Sequence, residues 1–312
     1  MRYVTIAELS SLIRKNLWKI PHDIDVVVGI PRSGMLAANI IALYLNTNLS
    51  DIDSFIDGKI FRNGFSRGCT VRSQSVIRKV LVVDDSIGGG TSIKDARRKL
   101  DTIFDKGYDF IFCVPIVTSV GTKMVDIYFE IINEDRIFEW NLFHHGFLGN
   151  ACIDIDGVLC CDPKEDDDGE RYLAFLQSAE PLFIPTVKIN TLISCRLEKY
   201  REQTEKWLKS NNISYQNLVM LNLPDKASRV RWGKHGEYKG EYYKRSECNL
   251  FIESSRKQAS VIATISKKPV ICVETNEFVF PSVTTTKKIK RKIRHYFPKT
   301  YKLSQFLIHP SI

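Results

Sequence analysis

Two pairs of carboxylates in this chain stand where chemistry on sugars and phosphates is done. Asp84 and Asp85 close an apolar run, Lys79–Val83, and are followed at once by Ser86, Ile87, Gly88, Gly89, Gly90 and Thr91. A glycine-rich turn between a strand and a helix aims bare N–H groups at an anion, and the carboxyl end of a parallel strand is where α/β sheets place ligands. Adjacent carboxylates only accept hydrogen bonds, which suits the vicinal hydroxyls of a sugar whose phosphate lies in the turn. Asp154 and Asp156 follow the apolar run Ala151–Ile153 and precede Gly157. Two acids at that spacing can divide labour, one attacking phosphorus and the other moving a proton. Their like charges call for a cation, and Mg²⁺ is the hard ion suited to carboxylates together with phosphate oxygens.

Positioning these acids requires strands. Short apolar runs at 25–30, 79–83, 110–117 and 125–132, then at 151–155, 191–194, 249–252 and 269–273, alternate with helical patterns. That alternation predicts an α/β fold of two Rossmann-like units with largely parallel sheets. The expected domains are 1–147 and 148–281, followed by a basic amphipathic tail, 282–312. Between them His144 and His145 lack partners at metal-ligand spacing and read as junction residues. A Gly-, Ser- and Arg-rich stretch carrying Arg62, Arg67 and Arg72 reads as a loop over the first site. The run CDPKEDDDGE after the second acid pair reads as a solvated acidic loop.

Composition narrows the classes. Of 312 residues, 44% are hydrophobic and 26% charged, which argues against a disordered or repetitive chain. There is no run of eighteen apolar residues and the N-terminus lacks a signal-peptide pattern, so neither a membrane span nor secretion is expected. None of the eight cysteines forms a C-x-x-C pair, which fits reduced thiols in the cytoplasm. Of the net charge of +9, eight charges sit in the tail, where Ser282 to Ile312 carries eight Lys or Arg and no acid. The body is near neutral and nucleic acid is not an expected partner of it. The tail, with Ile289, Ile293, Tyr296 and Phe297 among its cations, suits packing on the second unit or peripheral contact with an anionic membrane face.

The stretch VLVVDDSIGGGTSI resembles the signature of the type I phosphoribosyltransferases, which use 5-phosphoribosyl 1-pyrophosphate (PRPP). The resemblance implies that Asp84 and Asp85 hold the ribose hydroxyls and that Ser86 to Thr91 hold the 5-phosphate. Ser86 and Gly88 stand where bulkier residues are common. VVVGIPRSGMLAANIIA resembles the same family's pyrophosphate loop, which assigns Arg32, Ser33 and Gly34 to the leaving group. These matches cover about residues 20–135.

The D-x-D-G-x-L run at Asp154 resembles the haloacid dehalogenase (HAD) superfamily. That resemblance implies an aspartyl-phosphate mechanism with Asp154 as nucleophile and Asp156 as general acid and base. Ser194, ending an apolar strand before a helix read from Arg196 to Leu208, would bond the phosphoryl group. Lys239, with Lys244 as the alternative, would neutralise its charge. Asp154, Asp156 and Glu253 would hold Mg²⁺, although Ser254 replaces the usual second acid. Only 40 residues separate Asp154 from Ser194, so a small cap is expected and an open site.

A phosphoribosyl transfer and a 5-phosphate removal in one chain add up to ribosylation. This favours a bifunctional ribofuranosyltransferase acting on a glycan acceptor, such as a bacterial surface polysaccharide intermediate. The alternatives are a nucleobase phosphoribosyltransferase with an accessory or vestigial phosphatase, and a non-enzymatic, nucleotide-sensing RNA-binding regulator.

Overall fold

Runs of β-branched and aliphatic residues, buried on both faces, build the central strands of two parallel sheets. The computed structural model describes residues 1–61, 77–164 and 168–281. Arg62, Arg67 and Arg72 and the tail 282–312 lie outside the described residues. Two compact units divide between Trp140 and Asn141.

The first unit runs β1 (Arg2–Val4), α1 (Ile6–Asn16), β2 (Val26–Gly29), α2 (Gly34–Leu45), β3 (Asn48–Asp51) and α3 (Ile52–Ile56). It continues with β4 (Lys79–Val83), α4 (Thr91–Leu100), β5 (Asp109–Val117), β6 (Ile127–Ile131) and β7 (Arg136–Phe138). Five strands form one parallel sheet in the order β3-β2-β4-β5-β6, and β1 pairs with β7 in a separate two-stranded ribbon. Val26, Val27, Val28, Val80, Leu81, Val82 and Val83 are fully buried, as a sheet covered by helices on both faces requires. Asp25 is buried for a structural reason. Its carboxylate accepts from the N–H groups of Arg78 (2.7 Å) and Lys79 (2.8 Å), tying the start of β4 to that of β2. Helix α1 starts on Thr5, whose hydroxyl accepts from Glu8 N–H (3.1 Å).

The second unit runs β8 (Ala151–Ile153), α5 (Glu170–Ser178), β9 (Ile189–Leu197), α6 (Arg201–Ser210), β10 (Tyr215–Leu221) and α7 (Lys226–Trp232). It ends with α8 (His235–Arg245), β11 (Leu250–Glu253), α9 (Arg256–Ser266), β12 (Val270–Cys272) and β13 (Glu277–Val279). Its sheet has the order β10-β9-β8-β11-β12-β13, with β13 antiparallel to β12 and the rest parallel.

In both sheets the chain winds outward in two directions, so that a crevice opens between neighbouring strands whose connections leave to opposite sides. In the first unit that switch point lies between β2 and β4, and in the second between β8 and β11. The carboxyl ends of those four strands carry Arg32 to Gly34, Asp84 and Asp85, Asp154 and Asp156, and Glu253.

Two sequence readings need correction. Ser194 does not end its strand, which continues to Leu197, and Arg196 lies in β9 rather than opening a helix. The helix begins at Arg201 after a short 3₁₀ turn. The acidic run after Asp156 is not simply solvated: Asp168 accepts from Lys199 Nζ (2.7 Å), Tyr200 Oη (2.5 Å) and Lys226 N–H (3.1 Å), joining three parts of the unit. The seven described cysteines are free, and no helix among the described residues is long and apolar enough to cross a membrane.

Candidate functional site

In the first unit the two loops at the switch point meet through Gly34. A Cβ at this position would lie 2.8 Å from the Val83 carbonyl oxygen and 2.9 Å from Asp84 Oδ1, so only glycine lets the start of α2 approach the acids. Asp84 and Asp85 are 6% and 5% exposed, which places two carboxyl groups largely out of water. Asp84 Oδ1 accepts from Asp85 N–H (2.9 Å), and Asp85 Oδ1 accepts from Ser33 Oγ (3.0 Å). Beyond them the turn splits. Ile87 packs in the core and gives its N–H to the Ile116 carbonyl (2.9 Å). Gly88 and Gly89 are exposed, and Gly90 adopts φ +79°, which favours glycine, immediately before α4. The expected anion cradle is therefore left to Ser86, Gly88, Gly89, Gly90 and Thr91. Arg32 is exposed at the mouth of the crevice.

Residues 2–148 match the family model described as Phosphoribosyl transferase domain. They are a phosphoribosyltransferase domain. Solved structures similar to this chain include a purine phosphoribosyltransferase from Pyrococcus horikoshii Ot3, 15% identical, with a TM-score of 0.33 over 45% of this chain and 92% of that one. Another is the Helicobacter pylori xanthine-guanine-hypoxanthine phosphoribosyltransferase, 14% identical, with a TM-score of 0.34 over 45% of this chain and 92% of that one. No curated protein matches the chain.

The electrostatics of the phosphoribosyltransferase domain centre on Asp84. Burial, with the adjacent Asp85 charge, pushes its carboxyl from the ordinary 3.8 up to about 8. A folded-state value above the unfolded one means that stability is fully present below the unfolded value and is lost as pH rises through the folded one. Sugar hydroxyls donating to this group favour its charged form. PRPP binding at neutral pH should therefore release up to one proton, seen as a calorimetric heat that changes with the ionisation enthalpy of the buffer. Asp84→Asn should abolish that dependence, whereas buffer-independent heats in the parent protein would contradict this assignment. Two residues near the acids carry no signal in the sequence. Trp140 Nε1 donates to Asp85 Oδ2 (3.0 Å), and Arg136 Nη1 donates to the Ile87 carbonyl (3.0 Å).

In the second unit the acids meet cations of the protein. Asp154 is 4% exposed, and Lys239 Nζ lies 2.5 Å from its Oδ2 and 2.8 Å from Glu253 Oε2. Burial opposes the ammonium, but Asp154 and Glu253 together hold Lys239 protonated, above the ordinary lysine range. Lys244 is exposed and pairs loosely with Glu241 (4.0 Å), so Lys239 is the lysine at the strand ends. Asp156 is gripped by Arg196, with Nη2 2.7 Å from Oδ1 and Nε 3.1 Å from the same oxygen. This arginine is completely buried and also reaches Cys160 Sγ (3.2 Å). Ile153 pairs with Leu192, which sets Ser194 level with the turn carrying Asp156, and its hydroxyl accepts from Arg196 N–H (3.1 Å). Gly157 has φ +74°, and a Cβ there would lie 2.6 Å from Ser254 Oγ.

The carboxylates expected to hold Mg²⁺, Asp154, Asp156 and Glu253, thus each converge on a protein cation. Among the described residues no group of three or more His, Cys, Asp or Glu is arranged to hold a metal. The arrangement as it stands does not fit a resident ion, and Lys239 and Arg196 supply the positive charge. Asp162, read from the sequence as loop, faces the site instead. It lines a cavity of about 440 Å³ with Gly157, Phe183, Ser254, Ser255 and Glu274. Burial, with Asp156 and Glu253 nearby, raises its carboxyl above the usual range. His144 Nδ1 bonds Thr186 Oγ1 (3.1 Å) and His145 Nδ1 accepts from Phe147 N–H (3.3 Å).

Proposed function

We propose that the protein transfers 5-phosphoribose from PRPP to an acceptor and then removes the 5-phosphate, so that the net product is a ribofuranoside. The reading rests on one observation above others. Two carboxylates and an ammonium, Asp154, Glu253 and Lys239, are buried together at the switch point of the unit that follows the phosphoribosyltransferase domain. In this reading that unit is a HAD-like phosphatase with a small cap, spanning about 148–281.

In the first step Asp84 and Asp85 hold the ribose hydroxyls, the turn from Ser86 to Thr91 holds the 5-phosphate, and Arg32, Ser33 and Gly34 receive the pyrophosphate. Mg²⁺ accompanies the donor, because the diphosphate carries the hard oxygen ligands the ion prefers. The bond from the anomeric carbon to pyrophosphate breaks as the acceptor hydroxyl oxygen bonds to the opposite face and its proton passes to the departing pyrophosphate or solvent, which inverts the α-donor to a β-linked product. In the second step an Asp154 oxygen attacks the phosphorus and the ribose 5-oxygen departs with a proton from Asp156. Water then cleaves the aspartyl phosphate, giving its proton to Asp156. Lys239 and the Ser194 hydroxyl offset and orient the phosphoryl charge.

A glycan acceptor suits this sequence of steps, because a polysaccharide bearing plain ribofuranose needs the phosphate removed and a nucleotide does not. Labelled PRPP offered with a panel of glycan acceptors and nucleobases tests the choice. Label should pass to a glycan without its 5-phosphate. Transfer to a nucleobase alone, with the phosphate retained, would contradict the reading.

A further inference from the structure

Both oxygens of the Asp85 carboxylate are engaged by the protein itself, Oδ1 by Ser33 and Oδ2 by Trp140. An indole has one donor and no acceptor, so this bond fixes the rotation of the carboxylate about its own axis. The ring is fixed in turn, stacked on Phe138 at a centroid distance of 4.8 Å and an interplanar angle of 25°. On the same segment Arg136 donates to the Ile87 carbonyl, and its Nη2 lies 3.4 Å from where a Cβ on Gly88 would stand. The segment has little freedom, because β7 is paired with β1 in register from Arg2 with Arg136 to Val4 with Phe138, and Ile137 between them is buried. A guanidinium has five N–H donors in a rigid fork, and a single bond to a carbonyl leaves it able to engage an anion beside the glycines.

We propose that the segment from Arg136 to Trp140 is a brace for the donor site, in which Trp140 sets Asp85 for the ribose hydroxyls and Arg136 holds the turn at Ile87 and adds a cation beside Gly88 for the 5-phosphate. Trp140 is a positioning residue that acts through Asp85, and Arg136 acts both on the loop and on the ligand. The inference deepens the PRPP reading of this unit and rests on it. It also explains why the phosphate-binding turn keeps its shape although three of its residues are glycine: its one buried side chain, Ile87, is pinned through both backbone groups, the N–H by β5 and the carbonyl by Arg136.

The test separates the parts of the donor. Calorimetric titration of the full chain carrying Asp154→Asn, so that the second unit does not turn over the ligand, with PRPP and Mg²⁺, with ribose 5-phosphate, and with inorganic pyrophosphate should discriminate the variants. Trp140→Phe keeps the ring and removes the N–H. It should weaken PRPP and ribose 5-phosphate about 10-fold or more while leaving pyrophosphate unchanged. Arg136→Gln should do the same, and Arg136→Lys should recover part of the loss because the charge returns without the fork. Binding of all three ligands at the parent affinity in Trp140→Phe and Arg136→Gln would overturn the brace. Equal weakening of all three would also overturn it, because that pattern reports a general loss of fold. If the parent protein bound no PRPP, the reading of the site itself would fail, and the brace with it.

Discussion

The double variant Asp84→Asn, Asp85→Asn should release pyrophosphate from PRPP about 10³-fold more slowly than the parent, while the second unit hydrolyses ribose 5-phosphate at an unchanged rate. Hydrogen bonds to charged groups contribute about 1.5–3 kcal/mol each, and losing two or more of them reaches that factor. The acids belong to one unit and the groups proposed for hydrolysis to the other, so the two proposed activities should separate cleanly. Stability provides an independent sign. Removing the Asp84 carboxyl removes a buried group whose ionisation opposes folding, so the variant should gain on the parent as pH rises from about 4 towards about 8. A large fall in thermal midpoint at pH 8 would instead show that the paired acids hold the fold together. Pyrophosphate release at the parent rate would show that the donor site lies elsewhere.

The second large effect is expected at Lys239. Methionine has nearly the volume of lysine without its charge, so Lys239→Met isolates the loss of the ammonium that Asp154 and Glu253 share. Breaking a buried ion pair from one side costs about 3–5 kcal/mol, because the remaining charges lie in a poorly polarisable interior. With roughly 2–4 °C of midpoint per kcal/mol for units of this size, the second unit should melt about 10 °C lower. Asp154, whose carboxyl burial already pushes well above the ordinary range, should then take up a proton, so the deficit should shrink as pH falls and vanish only below the ordinary carboxyl value of about 4 that holds in the unfolded chain. Hydrolysis of phosphosugars should be lost at every pH. A variant as stable as the parent at pH 8 would mean that the cluster is hydrated and that the lysine is dispensable.

How much of this was legible in the sequence differs between the two sites. The strands read at 25–30, 79–83, 110–117 and 151–155 are present because aliphatic runs bounded by acids and glycines admit few other structures. The acids fall at strand ends for the same local reason. Sheet order was not legible, since pairing β2 with β4 or β8 with β11 joins segments far apart in the chain, and no periodicity encodes it. Trp140 and Arg136 were missed on that account: their partners, Asp85 and Ile87, lie about fifty residues upstream. Arg196 was misread as a helix start because its charge suggests a solvated face, whereas its bond to Asp156 lets it finish a buried strand. Asp162 and Asp168 are hidden in an acidic run whose composition reads as solvated, yet one lines the cavity of the second unit and the other ties the 3₁₀ turn before α6 and the start of α7 to the loop.

The order of the two reactions is the central claim, and one substitution reads it out. Asp154→Asn keeps the shape of the side chain but removes the proposed nucleophile, so on this reading the covalent phosphoryl intermediate cannot form. The parent protein, given PRPP and its acceptor, should yield an acceptor heavier by ribose alone. The variant should accumulate an acceptor heavier by one phosphoribosyl group, and mass spectrometry distinguishes the two by a phosphate. If the variant made the same unphosphorylated product as the parent, the second unit would not be the phosphatase for this reaction, and the chain would be a simple phosphoribosyltransferase.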